Sequence, residues 1–237
     1  KSLLLKKLGP YGGYRVAAQL MRNHPRILMY HRFSEGPKNG FVCKETFKNQ
    51  LSYLKAHFNI ISLNEVCQGL ESDKKMPKNA VAITVDDGYQ DFYDIAYPLL
   101  KELNIKATLF VTTGFVDREI WLWPDKVKYV LETIEFISSE QAEKDCLYSQ
   151  GKVSRERQEV LWNEIVNELL TWDNKSKELW IEKFSKDFNV EIPIQPPLEY
   201  AACSWSQLAE MQDITIDIEP HSVTHPSLAK VDEHTLV

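Results

Sequence analysis

The sequence predicts an α/β fold built on a parallel sheet, and three observations predict it. Between residues 26 and 117, short apolar runs alternate with stretches of helical period. One of those runs, Ala80–Val85 (AVAITV), is apolar or β-branched at every position, as a strand covered on both faces must be. Strands that alternate with helices need crossover connections, and crossovers make neighbouring strands parallel. The acid- and histidine-bearing turns also follow directly on apolar runs, at the edge where parallel α/β folds gather functional groups.

The elements can be justified in order. The first 33 residues hold Lys1, Lys6, Lys7, Arg15, Arg22, Arg26 and Arg32 and no acid, so in a chain of net charge −6 the rest carries −13. Leu3, Leu4, Leu5, Leu8, Val16, Leu20 and Met21 make this basic stretch amphipathic in places. It fits a solvated helix on the domain edge, or a contact with an anionic membrane surface or acidic partner. Arg26–Tyr30 (RILMY) then reads as a buried strand ending at His31. Phe47, Leu51, Leu54 and Phe58 keep helical spacing, Ile60–Leu63 reads as a second strand, and Asn64 as the N-cap of a short helix holding Val66 and Leu70. After the Ala80–Val85 strand, Tyr97, Leu100 and Leu103 mark a helix with Pro98 near its first turn. Ala107–Thr112 (ATLFVT) is the next strand, ended by Gly114.

Residues 118–200 break the rhythm. Trp123 to Phe136, Arg155 to Trp172 and Lys175 to Phe188 are charged and helical in pattern, and Pro193, Pro196 and Pro197 close the segment. We read a helical insertion. Its tryptophans (Trp121, Trp123, Trp162, Trp172, Trp180) either line a sugar site or pack the insertion's own core. The α/β rhythm resumes at 204, where Ser204 and Gln207 form an S-x-x-Q capping box. Ile214–Ile218 is the fifth strand. The divisions are thus 1–25 (basic segment), 26–117 (first part of the α/β domain), 118–200 (insertion) and 201–237 (its continuation).

Composition excludes several classes. A length of 237 residues fits one domain, or one domain with an insertion, and 43% hydrophobic residues can fill its core. No apolar run approaches the ~20 residues of a membrane helix. A net charge of −6 argues against a nucleic-acid binder. The four cysteines, Cys43, Cys67, Cys146 and Cys203, are far apart and read as free thiols, which favours a reducing compartment. This slightly favours a cytoplasmic or membrane-peripheral location, with secretion still open because the chain begins at Lys1.

Three clusters carry chemistry. Asp86-Asp87-Gly88-Tyr89 follows AVAITV directly. Two adjacent carboxylates at the end of an apolar strand are costly unless a cation offsets them. Gly88 permits a tight turn that aims the two side chains apart, so two roles are natural: one ligand and one base. The bland alternative is an ordinary D-D-G turn. His221-Ser222-Val223-Thr224-His225-Pro226 offers an H-x-x-x-H pair that can reach one metal, or merely two surface histidines. Tyr30-His31-Arg32 ends the first strand, and a lone His there is often structural. Combined, Asp87, His221 and His225 supply a carboxylate and two imidazoles, which leaves positions open for water and substrate, as in catalytic zinc or non-haem iron sites. Asp86 can then take a proton from the water, and His31 can give one to a leaving amine. No G-x-S-x-G elbow, P-loop or full G-x-G-x-x-G competes.

The stretch AVAITVDDGYQDFYDIAYPLLKELNIKATLFVTTGFVD resembles the first signature of the polysaccharide deacetylases (NodB-homology, carbohydrate esterase family four), and IEPHSVTHPSLAKV resembles their second. ILMYHRF, followed by FKNQLSYLKAHFNIISLNEV, is similar to the branch containing poly-N-acetylglucosamine deacetylases. The resemblance covers roughly residues 26–117 and 204–237. It implies a distorted (β/α) barrel and metal-dependent removal of N- or O-acetyl groups from a surface or extracellular polysaccharide. It assigns Asp86 as base, His31 as general acid and Asp87, His221 and His225 as ligands of one divalent ion, zinc first, with cobalt, nickel or iron as alternatives. The backbone near Tyr89 would help hold the oxyanion. The substrate partner would be an acetylated glycan or glycolipid.

Three departures stand out. Val85 replaces an aromatic residue, Glu219-Pro220 stands where Gly-Ser is usual, and the later family signatures are not found before Val237. Five strands are visible, so the barrel is expected to be incomplete here and the natural domain to continue. Two other functions fit the same residues: a deacylase of a small-molecule or lipid-linked sugar amide, or a non-catalytic glycan-binding relic.

Overall fold

The computed structural model describes residues 17, 19–72, 75–134, 155–212 and 215–231. The chain divides into two units, Lys1–Val116 with Ala201–His221, and Asp117–Tyr200 with Ser222–Val237.

The first unit is α/β. Its main sheet holds the five expected strands: β1 (Arg26–Tyr30), β4 (Asn59–Ile60), β5 (Ala80–Val85), β6 (Ala107–Val111) and β7 (Ile216–Pro220). Every pairing is parallel. β1 runs along β5 from Arg26 opposite Val81 to Tyr30 opposite Val85. β4 pairs with the start of β5, at Ala80 and Val81, and β6 with its end, at Thr84 and Val85. β7 follows β6 from Ala107–Ile216 to Val111–Pro220. Parallel pairing puts the C-terminal ends of β1, β5, β6 and β7 on one edge. β5 is buried at all six positions, which is why it contains no polar residue except Thr84.

Helices cover this sheet for legible reasons. Helix α1 (Lys44–His57) buries Phe47, Leu51 and Leu54, one stripe at helical spacing. Burial of each such side chain stabilises the fold by about 1.5–3 kcal/mol. Helix α2 (Leu63–Glu71) buries Val66. A π-helical turn (Phe92–Ala96) leads into α3 (Tyr97–Leu103), with Pro98 in the first turn. Asn104 ends α3 in the left-handed conformation (φ 50°), which Asn tolerates. Helix α4 (Thr113–Val116) follows β6, and α8 (Trp205–Met211) precedes β7.

Several expectations need correction. Strand β1 is not buried throughout: its exposure alternates, with Ile27 54% and Met29 63% exposed. Its apolar sequence hides that alternation. The strand expected over Ile60–Leu63 stops at Ile60, because Ser62, not Asn64, caps α2. Ser62 Oγ accepts from the Glu65 amide at 3.2 Å and the Glu65 carboxylate accepts from the Ser62 amide at 2.8 Å. β6 ends at Val111, and Gly114 lies inside α4 rather than ending the strand. β7 begins at Ile216, while Ile214 lies outside the described residues. A small parallel pair, β2 (Phe33–Ser34) with β3 (Val42–Cys43), was not foreseen.

The second unit is helical among the described residues, with α5 (Trp123–Thr133), α6 (Arg155–Leu169) and α7 (Asn174–Asp187). Its core joins Trp123, Val127 and Val130 of α5 to Ile165 and Leu169 of α6 and Ile181 and Phe184 of α7. Trp162, Trp172 and Trp180 pack against that core. The packing role therefore wins for most of the tryptophans. Phe136, Cys146 and the basic residues 1–16 lie outside the described residues. No described helix is long and apolar enough to cross a membrane.

Candidate active site

The shared strand edge brings four candidate residues of the first unit together. His31 follows β1, Asp86 and Asp87 follow β5, and His221 follows β7. Backbone hydrogen bonds lace these ends. The Asp86 amide donates to Tyr30 O (2.9 Å), the Thr112 amide to Asp87 O (3.2 Å) and the His221 amide to Val111 O (2.8 Å). Thr112 Oγ1 also donates to His221 O at 3.3 Å.

The two carboxylates serve different histidines. Asp86 Oδ2 lies 3.8 Å from His31 Nε2, and Asp87 Oδ1 lies 3.7 Å from His221 Nε2. Both aspartates are buried, at 9% and 4% exposure, where a lone carboxylate would be strongly disfavoured. The divergence follows from the turn. Asp87 and Gly88 both have left-handed backbone, φ 79° and 86°. A Cβ at Gly88 would also crowd Val111, standing 3.0 Å from its Cγ1.

The turn is pinned from the 201–203 segment. The Cys203 amide donates to Gly88 O at 2.9 Å and the Gln90 amide to Ala201 O at 2.8 Å. Cys203 Sγ donates to Tyr89 O at 3.1 Å. Burial pushes the Cys203 thiol up to about 12, so it is a packing and hydrogen-bonding group, not a nucleophile. The Tyr89 ring is buried, edge-on to Phe115 at 5.3 Å and under the Arg32 guanidinium at 3.8 Å. What Tyr89 can offer a ligand is thus its backbone rather than its ring.

Arg32 and Asp91 are site-supporting residues that sequence reasoning missed. Arg32 Nε donates to Asp91 Oδ2 at 2.7 Å, and the Phe33 amide donates to Asp91 Oδ1 at 3.1 Å. Burial raises the Asp91 carboxyl above the usual range, against the pull of the Arg32 guanidinium. This pair fixes the segment after β1, and with it His31. The available signal was the opposite charges flanking the two motifs, Arg32 beside His31 and Asp91 four residues past Asp87.

His225 belongs to the second unit. It stands four positions after His221, which bounds their Cα separation at about 14 Å. Its amide donates to Ser222 Oγ at 3.0 Å. Both Ser222 and His225 have left-handed backbone, φ 64° and 52°. In the same unit, Trp121, Trp123, Lys126, Asn174, Lys177 and Thr224 line a cavity of about 610 Å³.

The first unit is thus a parallel-sheet domain with acid–histidine pairs at its strand ends. Residues 73–155 match the family model for polysaccharide deacetylase. The chain is 32% identical to YxkH of Bacillus subtilis over 133 residues, 56% of this chain and 47% of that protein. It is 37% identical to the poly-beta-1,6-N-acetyl-D-glucosamine N-deacetylase of Staphylococcus aureus over 116 residues, 45% of this chain and 40% of that enzyme. The fold is shared with the Streptococcus pyogenes deacetylase PplD in complex with acetate, at TM-score 0.50 and 20% identity, over 87% of this chain and 60% of that one. The chain spans less than half the length of the curated relatives it matches. Over these stretches the chain is similar to polysaccharide deacetylases.

Proposed function

We propose that this protein is a metal-dependent hydrolase that removes acetyl groups from an acetylated glycan. The observation that carries the reading is the pairing of Asp86 with His31 and of Asp87 with His221 at one strand edge. Support comes also from the family, whose relatives include enzymes named for deacetylating poly-N-acetylglucosamine.

Asp87, His221 and His225 would hold the metal. They offer one carboxylate oxygen and two imidazole nitrogens, the donor set of an open catalytic site for zinc or a similar divalent ion. Burial of Asp87 fits that role, because a cation offsets the cost of a buried carboxylate. When bound, the ion supplies Lewis acidity toward water and the acyl oxygen.

The remaining chemistry is the chain's own. Asp86 accepts the proton of the attacking water, and His31 donates a proton to the nitrogen as the C–N bond breaks. The sum is one water consumed, with acetate and a free amine released. The backbone near Tyr89 would help hold the acyl oxygen. His31 is 45% exposed in its side chain against 12% for Asp86; an exposed acid can reach a leaving group while a sheltered base stays oriented.

The test is acetate release from N-acetylglucosamine oligomers, with metal content measured in parallel. Asp87→Asn is expected to lose metal. Asp86→Asn should keep metal and lose turnover, and His31→Ala should keep metal and slow the reaction, each by about 10²–10⁴-fold. Equal metal loss in Asp86→Asn and Asp87→Asn would refute the division of roles.

A further inference from the structure

We propose that helix α7 is a positioning device for the histidine-bearing loop 222–227, acting through Lys177 and Asn174. The inference rests on the reading of His225 as a metal ligand.

Lys177 is the starting point. It is 1% exposed and sits on the inward face of α7, one turn before Ile181. An apolar side chain would fill that place without the cost of burying an ammonium. What the ammonium adds is a hydrogen bond: Nζ donates to Ser227 Oγ at 2.8 Å. It also lies 4.8 Å from the centre of the Trp123 ring, whose π face offsets part of the desolvation.

Asn174, one turn earlier on the same face, makes the companion contact. Its Nδ2 donates to Thr224 Oγ1 at 3.2 Å. Thr224 immediately precedes His225, and Ser227 follows it by two residues. The two bonds therefore bracket His225, with Pro226 fixing one φ between them.

The loop needs such a hold. Ser222 and His225 are both non-glycine residues in left-handed backbone, φ 64° and 52°. Conformations of that kind are costly and persist only where the surroundings over-determine them. The bond from the His225 amide to Ser222 Oγ is internal to the loop. Lys177 and Asn174 are the external anchors, and they belong to a helix that offers no ligand itself. They act by fixing where the His225 imidazole stands.

The experiment is zinc affinity by chelator competition on the whole chain, comparing the parent with Lys177→Met, Asn174→Ala, Ser227→Ala and Ser227→Thr. The first three are expected to bind zinc about 10–100-fold more weakly, the effect typical of losing a support behind a ligand. Ser227→Thr keeps the hydroxyl and should retain the parent affinity, which a purely structural effect of altering residue 227 would not produce. Circular dichroism of the metal-free proteins checks that each is folded; should Lys177→Met fail to fold, Asn174→Ala and Ser227→Ala decide alone. Parent affinity in all three weakening variants would overturn this inference and leave the metal reading standing. A parent chain that binds no zinc would overturn the metal reading itself, and this inference with it.

Discussion

Asp86 and Asp87 are neighbours in sequence yet answer to different partners. The reason is backbone geometry. A strand alternates its side chains, and the left-handed turn at Asp87 and Gly88 (φ 79° and 86°) separates them further. Gly88 is the residue on which this depends. A methyl group there would meet Val111 Cγ1 at 3.0 Å as well as an unfavourable φ. Gly88→Ala is expected to destabilise the fold by about 1–3 kcal/mol, read as a lower midpoint in urea unfolding. A midpoint equal to the parent's would show that the turn is not constrained in this way. The D-D-G run was legible as a turn that aims carboxylates apart. The grouping of Asp87 with His221 was also read from side-chain chemistry; the distances were not, since His31 and His221 lie far along the chain in opposite directions.

At the scale of elements, helix ends were the best and the worst read. The capping box at Ser204 and Gln207 was legible because S-x-x-Q opens a fresh helical stretch, and it is present: Ser204 Oγ accepts from the Gln207 amide at 3.3 Å. The same S-x-x-E signal at Ser62 and Glu65 was hidden by the apolar run Ile60, Ile61 and Leu63, which reads as strand. Leu63 is in fact the first helical residue of α2. The Ser204 cap bears on the site. Cys203, whose amide pins Gly88, is the residue before the Ser204 cap. Ser62→Ala and Ser204→Ala should each cost about 0.5–2 kcal/mol, measured by denaturant unfolding. No loss in either would mean that the caps are redundant with the packing of Val66 and Leu208.

For the whole molecule, a ligand that binds the native state alone stabilises it by mass action. Zinc at 100 times its dissociation constant should add about 2.7 kcal/mol, which for a chain of this size raises the melting temperature by several degrees. Asp87→Asn should abolish the shift. A parent melting curve unmoved by zinc, cobalt or nickel would count against any resident divalent ion.

Sequence alone determined the α/β class, located the five strands of the main sheet (β4 only at Ile60) and singled out the acid and histidine residues as candidates, because these rest on local periodicity and on side-chain chemistry. Tertiary structure alone decided that Ile27 and Met29 face outward, and that Arg32 pairs with Asp91 and Lys177 with Ser227. Each of those is a contact across a sheet edge or between a helix and a loop. The energy of such a contact depends on a partner that no local window contains, so only the folded chain can reveal it.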